Sequence, residues 1–418
     1  MGDTCNRRGA EDPEAAARAL LVASIRGAPW SAEMLAGLVQ CALDDPEASR
    51  ALFGVLAEGL SDLFEPRLTE VYAALFSEVI ASVLPQFTAG ELLARYQRVR
   101  QPRRLRGEAG RIQNVFVLSR VTLGADIAVT SLVLEAAKRR FPGAQVFLVG
   151  GKKNWELFAG DPKIRHLPVA YGRGGTLRER LAVGLRLGTE FGQAGSLVID
   201  PDSRLTQLGL LPVCPEPAYY FFESRSHGGA GDESLAELTR GWLRDTFGIP
   251  DAQPYIAPAE RVDLGAGAVI AVSLGVGDNP AKRIPDPFEQ ELLRALARRP
   301  AVILVDTGPG GEEAGRVKAA IARSGARDVR TWEGSFAAFA GMIAQSRLYV
   351  GYDSAGQHAA AACGVPLVTV FAGFPSRRML ARWRPTGPGP IEVVRVDDPD
   401  PARVLTQTLE AIDRLVPR

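Results

Sequence analysis

Apolar positions along this chain change their period twice. Up to about residue 96 they recur at helical spacing. Leu68, Val71, Tyr72, Leu75, Phe76, Val79, Ile80 and Val83 follow the i, i+3, i+4, i+7 rhythm of a buried helical face. Ser31, ahead of Ala32-Glu33-Met34, reads as the N-cap of a helix that carries Leu35, Leu38 and Val39 inward. The pattern predicts a small all-helical domain over residues 1–96. From Asn114 onward, short continuous apolar runs alternate with helical stretches. Strands are expected over 115–118, 145–149, 196–199 and 219–222, with a helix over 126–140 and a turn at Phe141-Pro142-Gly143. After a Pro- and Gly-containing passage at 249–267, a second series follows at 269–273, 302–305, 348–350, 367–370 and 391–394. A final helix is expected over 402–415.

Strands that are apolar throughout, with helices between them, belong to parallel sheets covered on both faces. The predicted fold class is therefore α/β. Two Rossmann-like doubly wound lobes, 113–260 and 261–418, face a cleft, with the helical domain and a linker over 97–112 in front. In such sheets ligands lie at the carboxyl ends of the strands.

Composition narrows the function classes. The chain has 418 residues, 46% hydrophobic and 23% charged, and a formal net charge of +1. That charge gives no global attraction to nucleic acid. Cys5, Cys41, Cys214 and Cys363 are far apart and form no C-x-x-C pair, so neither a zinc site nor a disulfide framework is indicated. A reducing cytoplasm is the expected compartment. Residues 1–13 are polar, Asn6 stands where a myristoylation signal needs Ser or Thr, and no stretch approaches the roughly 20 apolar residues of a membrane span.

One stretch is strongly basic: Arg95, Arg98, Arg100, Arg103, Arg104, Arg106 and Arg111, opposed mainly by Glu108. Two readings stay open. It is a solvated linker, or it is a surface that meets anionic lipid headgroups or a phosphorylated acceptor at the inner face of a membrane.

Four loops carry candidate chemistry. Ser119-Arg120-Val121-Thr122-Leu123-Gly124-Ala125-Asp126 follows the opening strand; Gly124 lets the backbone approach a ligand, and Asp126 is either a general base or a helix cap. In the second lobe, Ser273 to Arg283 is a Gly-containing loop whose Lys282 is placed to neutralise a departing diphosphate, or is an ordinary surface cation. Asp306-Thr307-Gly308-Pro309-Gly310-Gly311-Glu312-Glu313 offers carboxylates suited to ribose hydroxyls, or acids that favour a helix dipole. Val350-Gly351-Tyr352-Asp353-Ser354-Ala355-Gly356-Gln357-His358 runs from a strand into an alanine-rich helix. Its unpaired amides and dipole suit a diphosphate, and His358 is placed to donate to a phosphate or to hold Asp353.

The order of these loops resembles glycosyltransferase family nine, the ADP-heptose:lipopolysaccharide heptosyltransferases of GT-B fold, over about three quarters of the chain. Ser119 to Asp126 is similar to the family's Ser-x-x-Gly-Asp turn, with Ala125 inserted before the acid. Asn279 to Pro285 is similar to its Asp-x-Lys-x-Trp-Pro loop, with Ile284 at the aromatic. Asp353 to His358 is similar to Asp-Thr-Gly-x-x-His, with Ser354 for Thr and Ala355 for the first Gly. The resemblance implies an inverting, metal-independent transfer of a heptose-like sugar from a nucleotide diphosphate donor to a glycan or lipid-linked acceptor. Asp126 is then the base, and Lys282 with the Ser354, Ala355 and Gly356 amides holds the leaving group. Glu312 or Glu313 meets the ribose, and Asp200, Ser203 and Arg204, at the end of the 196–199 strand, contact the acceptor. No cofactor is implied; Asp200 and Asp202 have Asp-x-Asp spacing but lie in the other lobe from the donor loops. Two other classes share this architecture: a non-catalytic nucleotide-sugar-binding or assembly protein, and a sugar-nucleotide epimerase.

Overall fold

The computed structural model describes residues 12–106, 109–277, 279–308 and 310–417. Cys5, most of the polar N-terminal stretch, Glu108, Asp278 and Pro309 lie outside the described residues. Helices occupy Pro13–Arg26, Ala32–Ala42, Pro46–Arg50, Pro66–Val83 and Ala89–Val99, with shorter turns between them. Their starts follow from sequence. Ser31 Oγ accepts the Met34 amide, Thr88 and Glu91 form a reciprocal capping box, and proline opens three of the helices.

Two parallel sheets follow. The first contains β1 (Asn114–Leu118), β2 (Gln145–Gly150), β3 (Ile164–Pro168), β4 (Ser196–Asp200) and β5 (Tyr219–Phe221), in the order β3-β2-β1-β4-β5. The second contains β6 (Val269–Ser273), β7 (Val302–Asp306), β8 (Val329–Trp332), β9 (Leu348–Tyr352), β10 (Leu367–Phe371) and β11 (Ile391–Arg395), in the order β11-β10-β9-β6-β7-β8. Both place their first strand centrally, with the order reversing beside it, which is the doubly wound arrangement. Val117 pairs with Leu148 on one side and Ile199 on the other. β6 is flanked likewise by β7 and β9.

The helical segment is less separate than expected. Leu68, Tyr72, Phe76 and Ile80 share one apolar cluster with Phe116, Leu118, Leu205, Tyr219 and Phe221 of the first lobe. The arginine stretch works as a clamp between the two. Buried Arg95 donates to the Gly209 carbonyl at 2.8 Å and lies over the Tyr219 ring. Arg98 pairs with Glu216 at 2.7 Å, Arg100 with Glu70 and Glu223, and Arg103 donates to the Glu216, Pro217 and Tyr219 carbonyls. The solvated-linker reading is corrected for four of these arginines, which meet protein partners, while Arg104 and Arg106 remain exposed. No described helix is long and apolar enough to cross a membrane.

A third contact joins the lobes. The helix Ala355–Ala362 presses its buried Ala359, Ala360 and Ala361 into a cluster that contains Val115, Ile127 and Val129 of the first lobe. Removing residues 1–100 would uncover a row of leucines and aromatics, each worth about 1.5–3 kcal/mol when buried. The remaining fragment is expected to aggregate or bind a hydrophobic dye strongly. A soluble fragment with a sharp melting transition would show that the helical segment is dispensable for folding.

Candidate active site

The carboxyl end of β1 is built around one carboxylate. Asp126 is fully buried, and each of its oxygens accepts two hydrogen bonds. Oδ1 takes the Arg120 amide at 2.7 Å and Thr130 Oγ1 at 2.6 Å; Oδ2 takes Ser119 Oγ and Asn154 Nδ2, both at 2.6 Å. Burial pushes its carboxyl above the usual range, against the pull of these four donors. The helix starts at Leu123, ahead of the expected Asp126, and widens into a π turn over Asp126–Thr130. Such turns recur at functional sites. The cap position is Thr122, so Asp126 caps nothing. With four contacts made, its carboxylate lies beneath the loop and fixes it.

That loop is strained. Val121 has φ 75°, a region a β-branched residue rarely enters, and Asp202, on the loop after the adjacent strand β4, has φ 70°. Between them Arg120, buried, donates to the Pro201 carbonyl at 2.7 Å and Ser224 Oγ at 2.8 Å and lies 3.8 Å from Asp202. Burial pushes its guanidinium down to about 10. Buried Arg225 pairs closely with the same Asp202 oxygen.

The expected acceptor residues divide. Asp200 is fully buried and accepts the Ser203 amide at 2.6 Å, Thr206 Oγ1 and the Tyr219 hydroxyl at 2.6 Å. Ser203 is also fully buried and donates to the Ser119 carbonyl. Both assignments are corrected, because neither side chain reaches solvent. Arg204 turns toward the helical segment, 3.6 Å from Glu58. The Arg120–Asp202–Arg225 group was not singled out by sequence, and only the Asp200/Asp202 spacing drew notice to it.

The donor-side candidates come together. Lys282 Nζ meets Asp353 Oδ2 at 2.6 Å and the Asp353 carbonyl at 3.2 Å. Gln357, missed by sequence, donates to the other Asp353 oxygen and accepts from Thr369 at 2.8 Å. No side chain caps the Ala355–Ala362 helix at Ser354. Gly356 is required there, since a Cβ would lie 2.2 Å from the Tyr349 hydroxyl. His358 is buried, its pKa pushed down to about 4 by that burial, so the ring is neutral at neutral pH. Across the cleft, a Cβ on Gly124 would sit 3.3 Å from the His358 ring and 3.4 Å from Ala355 Cα. The β1 turn and the helix start therefore face each other. Glu313 accepts the Val276 and Gly277 amides at 2.8 and 3.2 Å and so ties the β6 loop to the helix after β7; Glu312 is exposed. A separate polar cavity of about 410 Å³, lined by Glu70, Gln97, Arg100, Glu223 and His227 among others, shares none of the sequence-predicted site residues.

Solved structures that share this fold include the following three. A family nine glycosyl transferase from Veillonella parvula is 16% identical over 75% of this chain and 99% of its own, with a TM-score of 0.57. The heptosyltransferase WaaC of E. coli with ADP is 17% identical over 73% of this chain and 100% of its own, TM-score 0.52. The same enzyme with ADP-2-deoxy-2-fluoro heptose is 18% identical over 72% and 99%, TM-score 0.52. The fold is that of the family nine glycosyltransferases. No family model matches the sequence, and no curated protein matches it significantly. The family nine architecture spans nearly all of those chains but about three quarters of this one. The quarter left over equals in length the helical segment ahead of β1.

Two measurements check the buried carboxylates. Asp126→Asn puts an amide N–H₂ against two donors, which should cost roughly 2–4 kcal/mol in denaturant unfolding; unchanged stability would contradict the four-donor arrangement. Asp200 has its folded pKa raised by burial to about 6 against an ordinary 3.8. The native state thus holds the extra proton between those values, and stability from this residue rises as pH falls from about 6 to about 4. The span is on the order of 3 kcal/mol. The difference in unfolding free energy between wild type and Asp200→Asn should follow that slope, and a flat difference would refute it.

Proposed function

We propose that this protein is a metal-independent, inverting glycosyltransferase that takes a nucleotide diphosphate sugar against its second lobe. The observation that carries the reading is the meeting of Lys282, Asp353 and an uncapped helix start opposite Gly124. Backbone amides and a helix dipole favour two linked phosphates there, and Lys282 adds a cation where negative charge grows as the sugar leaves. The donor class rests on the fold neighbours, one bound to ADP and one to an ADP-heptose analogue. ADP-heptose is the first candidate. Ser354, Ala355 and Gly356 serve the diphosphate through their amides, Glu312 and Glu313 lie on the ribose side, and neutral His358 can donate a hydrogen bond to a phosphate. The acceptor is a glycan such as lipopolysaccharide core, approaching from the first lobe along Arg204 and the Arg120–Asp202–Arg225 group.

A second reading is a binding or assembly protein that holds the nucleotide sugar without transferring it. The saturated state of Asp126 favours it, since that carboxylate has no free lone pair directed at the cleft. The two differ in turnover: a transferase releases free nucleotide from the donor only with an acceptor present and labels that acceptor.

Thermal-shift screening against ADP, UDP and GDP tests the binding step, since a ligand at 100 times its Kd adds about 2.7 kcal/mol. Lys282→Ala should lower turnover by about 10²–10³. Absence of a shift with every nucleoside diphosphate would end this reading.

A further inference from the structure

The polar cavity of about 410 Å³ lies on the seam between the helical segment and the first lobe. One wall is helical, from Glu70 of the Pro66–Val83 helix, Gln97 of the Ala89–Val99 helix, and Arg100 just beyond it. The other is the loop after β5, through Glu223, Ser226 and His227. The Glu70 side chain is 48% exposed and Gln101 is exposed, so the cavity opens to solvent.

Its polar groups are held in place by one another. Glu70 accepts Gln97 Nε2 at 2.7 Å on one oxygen and Arg100 on the other. Arg100 also donates to Ser226 Oγ at 2.8 Å and to Glu223 at 3.4 Å. Glu223 takes the Arg225 and Ser226 amides at 2.8 and 3.0 Å. The His227 ring stands edge-on to Phe222, and among the described residues its nitrogens have no hydrogen-bond partner. Burial lowers its pKa, so at neutral pH the ring offers one donor and one acceptor.

Charge and lining decide what can enter. The walls carry two carboxylates and a single guanidinium, which is already shared between them. A phosphate or carboxylate ligand would meet net negative charge. Among the described residues no group of three or more His, Cys, Asp or Glu is placed to hold a metal ion, and Pro102 is the one apolar side chain in the lining. A neutral ligand rich in hydroxyls fits. Carboxylate and amide oxygens accept, amide and guanidinium N–H groups donate, and the imidazole does both. The volume lies within the roughly 300–1,000 Å³ of small-molecule sites.

The loop that walls the cavity also joins it to the β1 side of the cleft. β5 is two strands from β1 in the sheet, about 10 Å at the usual strand spacing. Glu223, Ser226 and His227 line the cavity, while Ser224 and Arg225, between them in sequence, bind Asp202 beside Arg120. We propose that this cavity binds a neutral sugar unit of the acceptor glycan, away from the hydroxyl that reacts. Its acceptor role rests on the transferase reading. An oligosaccharide, unlike a single sugar, reaches from one place to the other, and the helical segment then contributes acceptor specificity rather than chemistry.

The test uses the full-length protein. Calorimetry and saturation-transfer NMR with lactose, maltotriose, mannotriose and chitotriose should show saturable binding, and glucose 6-phosphate should bind more weakly than glucose. Gln97→Ala and His227→Ala should each weaken sugar binding about threefold to tenfold, with the melting temperature unchanged. With ADP-, UDP- and GDP-sugars and a bacterial envelope glycan extract, both variants should raise the apparent KM for the acceptor and leave kcat alone. No binding of any neutral sugar, binding that the variants do not weaken, or tighter binding of the phosphorylated sugar would overturn the site. An unaltered acceptor KM in variants of a protein that does transfer would overturn its acceptor role. Sugar binding that the variants weaken, with no transfer by the wild type, would overturn the transferase reading and keep the cavity as a sugar site.

Discussion

The site depends on a buried carboxylate that has no solvent. Ionised or neutral, Asp126 is costly to bury, and only the four donors around it make the position tolerable. Those donors come from the end of β1, its loop, the π turn and the short helix after β2. The loop between β1 and its helix therefore has one path. That path forces Val121 into positive φ and lays Gly124 against the second lobe's helix. A looser acid at this position would leave the turn free to move and the two halves of the site unregistered.

The same logic explains why the helical segment is integral. A doubly wound lobe normally covers both faces of its sheet with its own helices. Here one apolar cluster contains sheet residues such as Phe116 and Phe221 together with Tyr72, Phe76 and Tyr96 of the helical segment. The arginines that follow bond carbonyls and carboxylates of the lobe, and the bonds of Arg95 to Gly209 and Arg103 to Tyr219 gain from burial.

Much of the architecture was legible because its strands are apolar throughout. Nine of the eleven strands stand out in sequence, and β6 matches its expected bounds. The two that do not, Ile164–Pro168 and Val329–Trp332, are sheet edges whose side chains are partly solvated, so polar residues interrupt the pattern. The Lys282–Asp353–helix grouping was legible because loop order fixes which strand ends converge. Depth was not. Asp126, Asp200 and Ser203 carry types usual at surfaces, and nothing in their spacing reveals that the loops fold hydroxyl, amide and tyrosine partners around them. The arginine run misled for a related reason: seven cations in sequence look like a surface field, yet Arg95 and Arg98 find partners more than a hundred residues away, at Gly209 and Glu216.

The pairing of Lys282 with Asp353 bears on how charge would be managed in the transfer proposed above. The lysine head is 18% exposed, and its partner carboxylate is held on its other oxygen by Gln357. A lysine already paired gives a resting diphosphate less net attraction than a bare one. It costs little reorganisation when a full charge appears beside it, since its position is set beforehand by two contacts. The amides at the helix start behave alike: fixed by backbone, they gain most where charge is most concentrated. In the proposed reaction both devices would favour the departing nucleotide over the bound donor, and that differential, rather than tightness of binding, is what lowers a barrier.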